Sequence, residues 1–142
     1  MRYPDPSPDT SRTLGFAEAQ APLRLAGSIE HGLPVAALDR LVALLSPNDD
    51  SLRFAFVPRA TLARRARTQR LSPEESGRLA RVAGVWTVAR ETWGSDQEAR
   101  EFLNRRHPLL EDRRPLDVAL ATDLGARLVE DILGGLQHGT AV

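Results

Sequence analysis

Apolar side chains recur along most of this chain at three- and four-residue intervals, the spacing of one face of an α-helix, and no stretch alternates long enough to build a sheet. Pro34 suits the first turn of a helix whose inner face is Leu38, Leu41, Val42 and Leu45. Pro47, Asn48, Asp49 and Asp50 break that helix and offer caps for a short second one through Leu52, Ala55 and Phe56. Pro58 ends it and opens a third over residues 59–69, with Leu62 and Ala66 inward and arginines around the rest. Ser72-Pro73-Glu74-Glu75 is a capping box with proline at the first helical position. It predicts a long helix that carries Leu79, Val82, Trp86, Ala89 and Trp93 inward and stops at Gly94. Ser95-Asp96-Gln97-Glu98 starts another through Ala99, Phe102 and Leu103, and a proline-containing connector follows from His107 through Pro115. Thr122 caps a last helix with inner face Leu124, Leu128, Val129, Ile132 and Leu133, joined by Leu136 if Gly134-Gly135 does not end it.

The N-terminal part is less regular. Residues 1–12, with Pro4, Pro6 and Pro8 among Ser, Asp and Thr, bury too little apolar surface to offset their ordering entropy and read as a disordered tail. Leu14, Phe16, Leu23, Leu25 and Ile29 can dock on a core either as an early helix or as an extended arm. The expected fold is an all-α helical bundle in three parts: a disordered or weakly ordered tail over 1–30, a helix–turn–helix region over 31–70, and a second helical domain over 71–142.

Composition narrows the chemistry. The chain has no cysteine, which removes disulfides, thiolate nucleophiles and Cys-ligated metals, and all nineteen basic residues are arginine, which removes lysine-based catalysis and the phosphate-loop lysine. His31, His107 and His138 lack partners at metal-ligand spacing, and no nucleophile–base–orienter set can be assembled. Glu130 and Asp131 follow Arg127 at helical spacing, where a local ion pair is the simplest account. Binding is therefore expected and catalysis is not, and no cofactor is implied. The N-terminus carries no basic-then-apolar leader, and no apolar run is long enough to span a bilayer, so a soluble cytoplasmic protein is expected.

Net charge is zero but unevenly spread. Residues 53–81 hold eight arginines against two acids, whereas 1–52 hold four against seven and 82–142 seven against ten. The basic segment coincides with a short helix, a tight turn and a second helix, the layout that places the second helix in a major groove. Arg59, Arg64, Arg65, Arg67 and Arg70 can pair with phosphates or guanine edges, and Thr61 and Thr68 with phosphate or a thymine methyl. A solvated arginine-rich face is the competing account. The turn position that favours a left-handed glycine falls on Phe56, which predicts a looser or longer turn.

Leu71-Ser72-Pro73-Glu74-Glu75-Ser76 continues to Arg78, Leu79 and Arg81. Arg113-Arg114-Pro115-Leu116, Leu124-Gly125-Ala126-Arg127, Val129-Glu130-Asp131, Leu133-Gly134 and His138-Gly139 follow in order, after Thr61-Leu62-Ala63-Arg64-Arg65 upstream. This set resembles the Xre/ParS-type antitoxins of RES–Xre toxin–antitoxin pairs over residues 33–142, and residues 1–30 show no resemblance. Phe102, Asp112 and Gly135 depart from that family's pattern. The resemblance implies a type II antitoxin that acts as a homodimer, binds operator DNA to autoregulate its operon, and blocks the active site of a RES-domain toxin that consumes NAD or transfers its ADP-ribose. It implies toxin contacts from Arg113, Arg114 and Arg127 and from the slim, mostly uncharged tail Gln137, His138, Gly139, Thr140, Ala141 and Val142. A free-standing helix–turn–helix regulator with an oligomerisation bundle is the alternative.

Overall fold

The computed structural model describes residues 8–17 and 19–139. Its helices are α1 (Pro8–Thr13), α2 (Pro22–His31), α3 (Val35–Leu45), α4 (Arg53–Phe56), α5 (Arg59–Thr68), α6 (Pro73–Trp93), α7 (Asp96–Asn104), α8 (Pro115–Ala121) and α9 (Asp123–Gln137). Short 3₁₀ turns at Asp50–Leu52 and Pro108–Leu110 lead into α4 and follow α7. Among the described residues there is no strand, only isolated bridges between Pro34 and Arg70 and between His107 and Arg113, so the all-α expectation holds. The chain divides into two compact units between Gly84 and Val85.

The first unit is built around α3, which buries Ala37, Leu38, Leu41, Val42 and Leu45, in the register its periodicity predicts. Two segments distant in sequence clasp beside it. Leu71 donates its N–H to the Leu33 carbonyl at 2.8 Å, Val35 donates to the Gln69 carbonyl at 3.1 Å, and Leu33 donates to the buried Ser76 hydroxyl at 2.7 Å. Gly32 makes the clasp possible: its φ is +97°, and a Cβ there would collide with the Leu71 carbonyl oxygen. Residues 8–13 form a helix, where the prolines suggested a disordered tail through residue 12, and Thr10, Ser11 and Leu14 are buried. That apolar and small-residue face is what the proline count concealed. Residues 1–7 lie outside the described residues. Pro22–His31 takes the helical alternative, with Leu25 buried.

In the second unit Trp86 is 3% exposed, as its spacing predicts, but Trp93 is 38% exposed and sits beside Phe102 with ring centroids 5.9 Å apart. The inward stripe of α6 therefore ends before its last turn. The connector expected from His107 through Pro115 is more ordered than its prolines suggested: the His107 Nδ1 accepts from the Leu109 N–H at 3.1 Å to cap the 3₁₀ turn, and Pro115 is the first residue of α8. Thr122 ends α8 and caps α9, its hydroxyl accepting from the Gly125 N–H at 2.9 Å. Gly134-Gly135 does not end α9, which runs to Gln137.

The inner face of α9 is Gly125, Ala126, Val129, Ile132 and Leu133, whereas Leu124 is 64% and Leu128 45% exposed. The expected face is thus rotated. At Gly125 the backbone comes so close to α8 that a Cβ would collide with the Val118 carbonyl oxygen, so the smallest residues must face the neighbour and the leucines turn outward. No ion pair closes between Arg127 and the adjacent carboxylates. Burial instead raises the Glu130 pKa, the Asp131 charge adds to the rise, and the Arg127 charge opposes it.

Gly125→Ala should destabilise the protein by roughly 1–3 kcal/mol through overpacking. Gly134→Ala, in the same helix with open space at its Cβ position, should be neutral or stabilising by up to about 1 kcal/mol. Paired urea melts check the contrast, and equal behaviour at the two sites would refute the close-approach account. Trp86→Ala should cost roughly 3–5 kcal/mol in the same assay, and a melt within a degree or two of the parent would contradict its burial.

Candidate functional site

The 3₁₀ turn, α4 and α5 form the short helix, turn and second helix anticipated from the basic segment. Phe56 is buried at the end of α4 and needs no left-handed conformation, because the chain turns through extended backbone at Val57 (φ −141°) and Pro58 (φ −54°). The Val57 N–H donates to the Arg53 carbonyl at 3.1 Å, and the Arg78 guanidinium donates to the Phe56 carbonyl at 2.6 Å. The carbonyl end of α4 is therefore satisfied from the neighbouring long helix, and the turn is tight without glycine.

No residue of α5 is fully buried. Leu62 is half-buried and Ala66, expected inward, is exposed. Polar contacts hold the helix instead. Arg65 reaches α6 with a two-pronged pair to Glu75, Nε to Oε1 at 2.9 Å and Nη2 to Oε2 at 3.2 Å. The same carboxylate accepts the Ser72 N–H at 2.8 Å while the Ser72 hydroxyl accepts the Glu75 N–H at 3.1 Å, which is the reciprocal capping box read from the sequence. Burial by itself would raise the Glu75 pKa, but the hydrogen bonds from Arg65 and the Ser72 N–H outweigh it and hold the carboxyl below its usual range.

The candidate DNA residues fall into two groups. Arg59, Arg64 and Arg67 are exposed: the Arg59 guanidinium lies over the Phe54 ring at 4.1 Å, and Arg64 touches the half-buried Thr61 hydroxyl at 3.4 Å. The others face inward duties. Arg65 is held by Glu75, Arg70 donates to the Gly32 carbonyl at 2.7 Å, and the Thr68 hydroxyl lies 3.3 Å from the Arg65 carbonyl and 3.4 Å from that of Arg70. Gln69, which sequence reasoning passed over, ends α5 in the left-handed region at φ +58° with its side-chain amide on the Ala66 carbonyl at 2.7 Å.

In the second unit, Arg114 is bound by Asp117 through Nε at 2.8 Å and Nη2 at 2.9 Å and by Asn104 at 3.3 Å, which fixes the start of α8. Arg113 and Arg127 are exposed. Gln137 donates to the Thr92 hydroxyl at 2.7 Å, and the N–H groups of His138 and Gly139 close the last turn of α9 on the Gly134 and Leu136 carbonyls. Thr140, Ala141 and Val142 lie outside the described residues. Leu109, Leu128 and Asp131 surround a shallow cavity of about 230 Å³ floored by Leu110 and Ile132, with Leu124 one turn away on the same exposed face. Sequence reasoning missed this surface because it assigned Leu124 and Leu128 to the core and left Leu109 in the connector. Among the described residues no group of side chains is arranged to hold a metal ion, and no helix is long and apolar enough to cross a membrane.

These features define a helix–turn–helix protein joined to a second, helical binding unit. Residues 24–84 match the antitoxin Xre-like helix-turn-helix domain, and residues 88–139 match the antitoxin Xre/MbcA/ParS C-terminal toxin-binding domain. The chain is 34% identical, over 148 aligned positions covering 98% of both proteins, to Antitoxin Xre from Yersinia enterocolitica serotype O:8. It belongs to the Xre-type antitoxin family. That similarity also extends into residues 1–30, which the motifs alone did not reach.

The Arg65–Glu75 link has a definite pH dependence. Because the folded pKa of Glu75 is lowered, its stabilisation is fully present above the unfolded value of about 4.3 and is lost as pH falls through the folded value. The stability difference between the parent and Glu75→Gln should therefore be constant from pH 7 to about 5 and shrink below about 4. Urea melts across that range test it, and a difference that persists undiminished at pH 3 would exclude the ionised pair as its source.

Proposed function

We propose that this antitoxin neutralises a RES-domain toxin by occluding its active site and represses its own operon through the helix–turn–helix, as a cytoplasmic homodimer. The observation that carries the reading is the match of residues 88–139 to a toxin-binding domain, which reaches the end of α9. Two features of that unit support it. Leu109, Leu124 and Leu128 present apolar side chains to solvent beside Arg127, a surface suited to a protein partner. The Gln137–Thr92 hydrogen bond anchors the last turn of α9, next to the tail that the resemblance assigns to the toxin. A RES-domain toxin that consumes NAD or transfers its ADP-ribose has a dinucleotide cleft, and a slim, mostly uncharged segment is the kind of group that enters one.

Deletion of residues 138–142, which keeps the Gln137 anchor, should leave the melting temperature nearly unchanged and DNA binding intact while abolishing inhibition. The measurement is NAD consumption by a RES-domain toxin that the full-length protein inhibits, with antitoxin and toxin at equal concentration. Continued suppression of NAD loss by the truncated protein would show that inhibition resides elsewhere.

A further inference from the structure

The internal contacts of α5 decide which of its side chains remain for a ligand. With Arg65 held by Glu75, and with Thr68 and Gln69 turned back onto the end of the helix, the face opposite the half-buried Thr61, Leu62 and Arg65 is Ala60, Ala63, Arg64 and Arg67. All four are exposed, and their spacing of i, i+3, i+4 and i+7 makes them one stripe. The stripe carries two guanidinium forks and two methyl groups. It has no amide to pair bidentately with adenine and no carboxylate to accept from cytosine N4. Its alanines also allow the helix backbone to approach a groove floor closely.

We propose that Arg64 and Arg67 read guanines in the major groove, with Ala60 and Ala63 packed against thymine methyls, so that α5 selects G and T on the strand it faces. The assignment rests on the DNA-binding reading of the helix–turn–helix and adds the bases it recognises. Arg64 and Arg67 are three residues apart, about 4.5 Å along the helix, slightly more than the base step of about 3.4 Å. The two guanines are therefore adjacent or separated by one base. Arg59, stacked on Phe54 at the start of α5, is placed at the flank to hold a phosphate and carries no base information.

The test is selection by the full-length protein from a pool of random-sequence duplexes, followed by titration of the enriched duplex with Arg64→Lys and Arg67→Lys. Lysine keeps the charge and loses the planar fork. The enriched half-site should contain GG or GNG. Each variant should bind it roughly 5- to 150-fold more weakly with an unchanged salt slope, and should lose less than the parent does when the cognate guanine is replaced by 7-deazaguanine, which lacks the N7 acceptor. A motif without guanine, or parental affinity in both variants, overturns the base assignment and leaves DNA binding standing. If no duplex is retained even at low salt, the DNA-binding reading fails and this assignment falls with it.

Discussion

One carboxylate organises the first unit. Glu75 completes the N-terminal cap of α6 and at the same time binds the guanidinium of Arg65 on α5, so the start of the long helix and the placement of the exposed helix depend on a single ionised group. Its side chain is 10% exposed, which strengthens both interactions relative to a fully solvated pair. Around it, the clasp of residues 32–35 with 69–71 fixes the ends of α3 and α5 against each other, and Arg78 closes α4. Without Glu75, α5 is left with half-buried Thr61 and Leu62 and the contacts at its two ends.

The second unit is held differently. Its central pair, α8 and α9, is joined through Thr122 and packed closely enough that glycine is required at residue 125, so its order comes from apolar fit. That fit also shapes the surface, since turning Gly125 and Ala126 inward turns Leu124 and Leu128 out. A pair of helices packed through bulkier residues would have buried those leucines and left a polar surface.

Local chemistry was legible in the sequence wherever it acts within a few residues. The caps at Ser72, Ser95 and Thr122 and the inward registers of α3 and of α6 through Ala89 follow from short-range rules. Features set by a neighbouring helix were not legible. The face of α9 was misread because hydrophobic periodicity gives no weight to a glycine that must be buried for closeness. Arg65 looked like any other arginine of α5 because its partner lies ten residues away on another helix. The order between His107 and Pro115 was hidden because a histidine cap and a proline at a helix start resemble loop composition. The candidate DNA-contact residues were named from the sequence by charge and helical position alone, and the structure separates those whose guanidinium groups are engaged within the fold, Arg65 and Arg70, from the exposed Arg59, Arg64 and Arg67.

The absence of any fully buried side chain in α5 has a consequence for its motions. Local opening of this helix would expose little new apolar surface, so it would carry only a small heat-capacity change and would not be opposed by the hydrophobic effect that holds α3. Its backbone amides should therefore exchange through openings that cost less than global unfolding. A partner that engages α5 would damp such openings, and part of its binding free energy would go into ordering a helix held by polar contacts instead of by a buried face.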